Sequence, residues 1–145
     1  MSDLADFARL IAGDHGLCTV STLRPDSTIQ SSVVNAGVLK HPDTGDQVVG
    51  MVLRGGTRKL ANLRARPYMS VNIRVGWQWL TVEGSAWIAG PDDPILAPEP
   101  LRLLLREVFT AAGGTHEDFD EYDRVMAADR RAVVLITPTR IYGNA

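Results

Sequence analysis

Cysteine is almost missing from this 145-residue chain: Cys18 stands alone, which excludes an intrachain disulfide and a thiolate-rich metal site. The three histidines, His15, His41 and His116, lie far apart beside turn-forming or acidic residues. No two have metal-ligand spacing, so all three are expected to be ordinary loop or surface residues and no metal is expected. No run approaches the ~20 apolar residues that span a bilayer. Met1-Ser2-Asp3-Leu4-Ala5-Asp6 lacks the basic and apolar regions of a secretory signal. These absences predict a reduced, cytoplasmic setting without a membrane partner. A further absence is local: from Gln47 to Val82 there is no Asp or Glu, while Arg54, Arg58, Lys59, Arg64, Arg66 and Arg74 all fall there. That window carries +6. The other nine basic residues share the remainder with all seventeen acids, giving −8 there and −2 in total. The total argues against bulk nucleic-acid or anionic-membrane binding, but the segregation needs its own explanation.

What is present reads as one domain over residues 1–145, of ordinary globular composition with 45% hydrophobic and 22% charged residues. Ser2 to Ala12 predicts a short helix with Ser2 as N-cap and Leu4, Phe7, Leu10 and Ile11 on one face. Leu17–Leu23 and Thr28–Val38, separated by Arg24-Pro25-Asp26-Ser27, predict a hairpin. After the polar turn His41–Asp46 comes an apolar run, Val48–Leu53, of strand length. A helix from Thr57 to Ala65 follows, stopped by Pro67. Met69, Val71 and Ile73 alternate with polar residues as a strand. On the next strand Trp77, Trp79, Thr81 and Glu83 are expected on one face, with Leu80, Val82 and Ala86 on the other. Leu101, Leu104, Leu105, Val108 and Ala112 repeat at helical spacing up to Gly113-Gly114, and Thr115 with Asp118 predicts a capping box before Phe119, Tyr122 and Met126. Ala132–Ile136 is a last, wholly apolar strand. Six strands joined mostly by hairpin turns, with helices appended and inserted, predict a mainly β fold, a small barrel in place of a doubly wound sheet.

The sharpest motif is Leu53-Arg54-Gly55-Gly56-Thr57-Arg58-Lys59 at a strand-to-helix junction. Glycines permit a tight turn, Thr57 is placed to cap, and the first helical amides attract an anion. Arg58 and Lys59 are disfavoured there by the helix dipole, a cost that an anionic ligand reverses. The order Gly-Lys-Ser/Thr of a P-loop is missing, as is a G-x-G-x-x-G after a strand. Ser85 lacks a hydrolase's strand-to-helix elbow, and the acids Glu117, Asp118, Asp120, Glu121 and Asp123 read as a solvated helix face. An anion grip without an evident acid, base or nucleophile suits a protein whose cofactor supplies the reactivity. Trp77 and Trp79 offer either barrel or subunit packing, or a flat wall for a ring.

A hairpin, a third strand ending in Thr57-Arg58-Lys59 with Asn62-Leu63 one turn on, a Trp-rich strand ending Val82-Glu83-Gly84, and Arg140-Ile141-Tyr142-Gly143 together resemble the split β-barrel flavin and deazaflavin oxidoreductases. These form the pyridoxamine-5'-phosphate-oxidase-like superfamily, with its FMN-binding split barrel, and the resemblance runs from about Gly16 to Gly143. Asp118–Tyr122, Met126, Asp129-Arg130-Arg131 and Tyr142-Gly143 resemble the actinobacterial branch that uses the deazaflavin coenzyme F420. The resemblance implies a six-stranded split barrel, a homodimer with cofactor sites at the subunit interface, and hydride transfer to a small conjugated or aromatic substrate. It places the cofactor phosphate on Thr57, Arg58 and Lys59. It lays Gln30, Ser32, Val34, Asn35, Val52, Leu53 and Arg54 along the ring and ribityl chain, brings Trp77 and Trp79 from the other subunit, and sets Arg131 near the anionic tail. No catalytic residue is assigned.

The chain ends soon after Tyr142 without the longer basic segment of the pyridoxamine-phosphate oxidases, so vitamin B6 oxidation is not expected. The alternatives are an FMN enzyme on the same fold, a carrier that binds cofactor without turnover, and a barrel that stacks single-stranded nucleic acid. Excess basic charge favours F420, whose tail bears several carboxylates, and the low aromatic content argues against nucleic acid.

Overall fold

The computed structural model describes residues 2–145, so Met1, in the segment read for a signal, lies outside the described residues. Helix α1 (Leu4–Ala12) precedes β1 (Leu17–Leu23), β2 (Ile29–Lys40) and β3 (Gln47–Leu53). Helix α2 (Arg58–Ala65) leads to β4 (Tyr68–Val75) and β5 (Gln78–Ala89), then α3 (Pro98–Ala111), α4 (Phe119–Ala128) and β6 (Ala132–Gly143). The strands close into an antiparallel barrel in the order β1-β2-β3-β6-β5-β4, with β4 pairing back to β1. A register shift at Glu83/Gly84 bends β5 against β6. A Cβ at Gly84 would overlap the Thr137 carbonyl oxygen.

Period-two alternation sends Cys18, Val20, Met69, Val71, Ile73, Leu80 and Val82 into the barrel. β3 and β6 bury both faces. Val49, Met51, Leu53, Val134 and Ile136 point inward, while Val48, Val133 and Leu135 pack outward beneath Leu101, Leu104, Leu105 and Val108 of α3. That double burial is why both strands read as unbroken apolar runs. Phe7, Leu10 and Ile11 of α1 join the interior at the end where β1 starts, and Leu60 and Leu63 of α2 join it at the opposite end. There the buried Asn62 donates through Nδ2 to Thr22 Oγ1 at 3.1 Å and to Gln30 Oε1 at 3.3 Å.

Several local expectations are corrected. Asp3, not Ser2, caps α1, in a reciprocal box with Asp6 (2.9 and 3.1 Å), while the Ser2 hydroxyl donates to the Ala145 carbonyl. Asp118, not Thr115, caps α4, accepting from the Asp120 and Glu121 amides. Trp77 stands in the β4–β5 turn, 95% exposed, and not on the strand; Thr81 is buried beside Leu80. β6 continues seven residues past Ile136. Asp123 is no solvated acid: it receives Arg106 Nε at 2.9 Å and Arg102 Nη1 at 3.0 Å, clamping α4 to α3. His41 lies in a loop but is buried against Trp87, ring centroids 4.8 Å apart. No helix among the described residues is long and apolar enough to cross a membrane.

Candidate functional site

The loop between β3 and α2 has little room for side chains. A Cβ on Gly55 would lie 2.5 Å from the Arg130 carbonyl oxygen, and Gly56 takes φ +77°, so both glycines are required where the end of α4 docks on this loop. The Gly55 amide donates to the Asp129 carbonyl at 3.1 Å. Thr57 occupies the N-cap position of α2 but does not cap it: its hydroxyl donates back to the Arg54 carbonyl at 3.0 Å. The first amides of α2 are thus left without a side-chain acceptor, the arrangement that binds anions.

Beside that helix start lies a cleft of about 520 Å³, within the usual range for small-molecule sites. β2 and β3 form its floor through Val33, Val34, Asn35, Val52 and Leu53. Arg54, Thr57, Lys59 and Arg131 form a cationic end. The opposite wall comes from Val108, Phe109 and Ala112 of α3, from His116, and from Glu121, Tyr122, Val125 and Met126 of α4. One end is charged and the floor is apolar.

Lys59 is partly buried, and its pKa is held below the ordinary lysine value by desolvation first and then by the Arg131 guanidinium. It has no carboxylate partner among the described residues. Arg131 and Arg54 share one counter-ion, Asp129, at 3.2 and 3.7 Å. Across the cleft the Tyr122 phenol donates to the Leu105 carbonyl at 3.1 Å, and burial pushes its pKa up to about 12. His116 accepts the Asp118 amide on Nδ1 at 2.9 Å, which leaves the proton of the neutral ring on Nε2.

Of the residues expected at a cofactor site, Val34, Asn35, Val52, Leu53, Arg54, Thr57, Lys59 and Arg131 come together in this cleft. Gln30, Ser32, Arg58, Trp77 and Trp79 are not among its lining residues. Gln30 turns to Asn62 at the barrel end, and Ser32 shares the inward parity of Gln30. Arg58 is exposed outside the cleft. Trp79 packs edge-on to Tyr142 at 6.2 Å, and neither tryptophan plugs the barrel. No motif in the sequence marks the helical wall as a site. Val108, Ala112, Tyr122 and Met126 have the i, i+4 spacing of ordinary core faces, and nothing in that spacing separates a core contact from a cleft wall.

No family model matches the chain. Solved structures do. The conserved hypothetical protein Rv2991 from Mycobacterium tuberculosis aligns with a TM-score of 0.71 at 19% identity, over 99% of this chain and 84% of that one. An F420 reductase aligns at 0.59 and 17% identity over 88% and 90%. A pyridoxamine 5'-phosphate oxidase-related, FMN-binding protein from Nostoc punctiforme aligns at 0.62 and 11% over 97% and 84%. Heme-binding proteins share the architecture as well, so the fold alone does not select a ligand. At these identities the likeness establishes the fold: a six-stranded split barrel with four helices.

Proposed function

We propose that this chain is an F420-dependent oxidoreductase that moves a hydride between the deazaflavin and a small conjugated or aromatic substrate, working as a homodimer. The observation that carries the reading is Lys59: a partly desolvated ammonium, next to a second cation and without an anion, at the uncapped start of α2. Such a site is electrostatically incomplete until an anion enters it. Lys59 and the α2 amides would take the cofactor phosphate. Val34, Val52, Val108 and Met126 would exclude water from the ring, and His116 Nε2–H would donate to a ring carbonyl. When bound, the deazaflavin supplies the hydride-exchanging carbon. Val33, 63% exposed on the cleft floor, and Ile29, 64% exposed on the same face of β2, are apolar surface that a second subunit would cover. On this reading Trp77 and Trp79, absent from their own chain's cleft, close the cleft of the partner.

FMN is the second reading, favoured by one observation: Asp129 occupies Arg54 and Arg131, leaving Lys59, among the described residues, as the cation of the cleft without a carboxylate partner, enough for a phosphate. Titrating purified protein with F420 and FMN, followed by ligand fluorescence or tryptophan quenching, separates the two. The expected result is binding of F420 well below millimolar and tighter than FMN. Failure of both to bind, with binding of a single-stranded oligonucleotide, overturns the oxidoreductase reading. Sedimentation velocity tests the dimer.

A further inference from the structure

Thirteen of the fifteen Lys and Arg residues are arginines, and the two lysines stand in opposite surroundings. Lys40 is exposed at the end of β2 and does not line the cleft. Lys59 lines it at the start of α2, together with Arg54 and Arg131. To hold an anion there, arginine would serve at least as well, since its charge is permanent and its donors form a fixed fork. What lysine adds is an amine that can lose its proton and act as a nucleophile. The surroundings favour that chemistry. Desolvation and the neighbouring Arg131 guanidinium both disfavour the ammonium, which raises the fraction of free amine above that of an exposed lysine, and no carboxylate figures among the charges acting on it. The first α2 amides are open, because the Thr57 hydroxyl donates back to the Arg54 carbonyl, and a phosphoryl group seated on them brings whatever it carries close to the amine.

We propose that Lys59 is an acylation site of the ligand-free protein: an acyl phosphate enters the cationic end of the cleft by its phosphoryl group and transfers its acyl group to Nζ. The free amine attacks the carbonyl carbon and the amide C–N bond forms. The bond from that carbon to the bridging oxygen breaks, inorganic phosphate leaves with the electron pair, and the proton lost from nitrogen passes to phosphate or water. Nothing is oxidised or reduced. The product side chain is neutral. Among the described residues, Asp129 already engages Arg54 and Arg131, so an acylated cleft keeps its apolar floor but loses the cation without a carboxylate partner. Acylation therefore shuts out a phosphate-bearing cofactor, and a bound cofactor shields the amine. That consequence rests on the cofactor reading above, whereas the acylation site stands on the cleft, its cations and the open amides.

The probe is acetyl phosphate, with the rates at Lys59 and Lys40 read from the same sample by peptide mapping in a mass spectrometer, so that the exposed lysine is the internal reference. Lys59 is expected to acetylate at least about tenfold faster than Lys40. With N-acetylimidazole, an uncharged acyl donor, that ratio should fall by about fivefold or more, because the phosphoryl group no longer steers the reagent. Inorganic phosphate or FMN should slow Lys59 and leave Lys40 unaffected. Protein acetylated at Lys59 should bind FMN about 10- to 150-fold more weakly than untreated protein, and Lys59→Gln, with a neutral amide side chain, should match it. Lys59→Arg should keep its FMN binding through the same treatment. Equal rates at the two lysines, a preference for Lys59 just as large with N-acetylimidazole, or no protection by phosphate would each overturn the site. Undiminished FMN binding in the acetylated protein would overturn the exclusion of cofactor. Selective, phosphate-sensitive acetylation of a protein that binds neither FMN nor F420 would sustain the acylation site and remove the cofactor reading.

Discussion

Replacing Lys59 by methionine keeps the aliphatic length and removes the charge, and the structure predicts two opposite effects. In the free protein the ammonium is partly stripped of water and faces Arg131, so its loss should leave the melting temperature equal to or above that of the parent. With ligand, the same ammonium makes a charge-assisted hydrogen bond worth about 1.5–3 kcal/mol, so binding of FMN or F420 should weaken by roughly 10- to 150-fold. A bare Coulomb estimate for an ion pair near ~4 Å at an effective dielectric of ~20 gives about 4 kcal/mol before desolvation, which places that range on the reasonable side. The pH dependence has a defined sign. The folded pKa lies below the ordinary 10.5, so the unfolded chain binds the extra proton more readily. The stability penalty is complete below the folded pKa and disappears as pH rises past the unfolded value. Ligand affinity follows the proton: it falls as pH rises through the pKa of Lys59 in the free protein. Isothermal titration of parent and variant at fixed salt, with thermal melts of both free proteins, measures all of this. Unchanged affinity together with a lower melting temperature would make Lys59 a structural residue and refute the anion site.

Asn62→Ala leaves Thr22 and Gln30 without their donor at the α2 end of the barrel. It should cost about 1–3 kcal/mol in urea unfolding, with the denaturant slope unchanged. Gly37→Ala places a methyl group against the Ala111 carbonyl, backbone on backbone, and should destabilise by about 1–3 kcal/mol or more. The benign substitution for comparison is Gly45→Asn, where nothing stands within 4 Å and the left-handed conformation is tolerated. Ultraviolet titration should show one tyrosine ionising near pH 12 that vanishes in Tyr122→Phe. Because the folded phenol holds its proton more tightly than the unfolded one, its stabilising contribution is present below about pH 10 and is lost through pH 12.

The barrel was legible because its strands obey simple rules: alternation where one face is wet, unbroken apolar runs where α3 covers the outer face of β3 and β6. Positions inside a strand were harder. Gln30, Ser32 and Val34 share the inward parity of β2, so parity does not separate them; the cleft meets β2 only at Val33–Asn35, and Gln30 lies further along the strand at the Asn62 end of the barrel. Trp77 looked like a strand residue because it is aromatic and keeps period two with Trp79, yet Gly76 at φ +61° turns the chain just before it. The cleft wall on α3 and α4 was illegible for a different reason. Whether Val108 or Met126 meets a neighbour or a void depends on how far two helices stand from a sheet, and the Asp123 clamp and the Gly55–Arg130 contact set that distance through residues far apart in the chain.

The segregated charge is resolved in part in three dimensions. Arg64 is held bidentately by Asp93 at 3.1 and 2.8 Å, Arg74 donates to the Gly76 carbonyl, and Asp129 serves Arg54 together with Arg131. The acidic remainder of the sequence thus supplies counter-ions to two of the six window cations, Arg54 and Arg64, while Arg58, Lys59, Arg66 and Arg74 have no carboxylate partner among the described residues. Among the described residues, what survives in the cleft is Lys59, with two arginines that can be released only by giving up Asp129. Exchanging an exposed ion pair for another contributes about 0–1 kcal/mol each. A polycarboxylate tail reading both arginines should then add at most about thirtyfold to the affinity that a single phosphate secures. F420 should therefore exceed FMN by no more than that factor, with the preference enlarged in Asp129→Asn. A preference of several thousandfold would mean that the tail is read elsewhere, on cations of a second subunit.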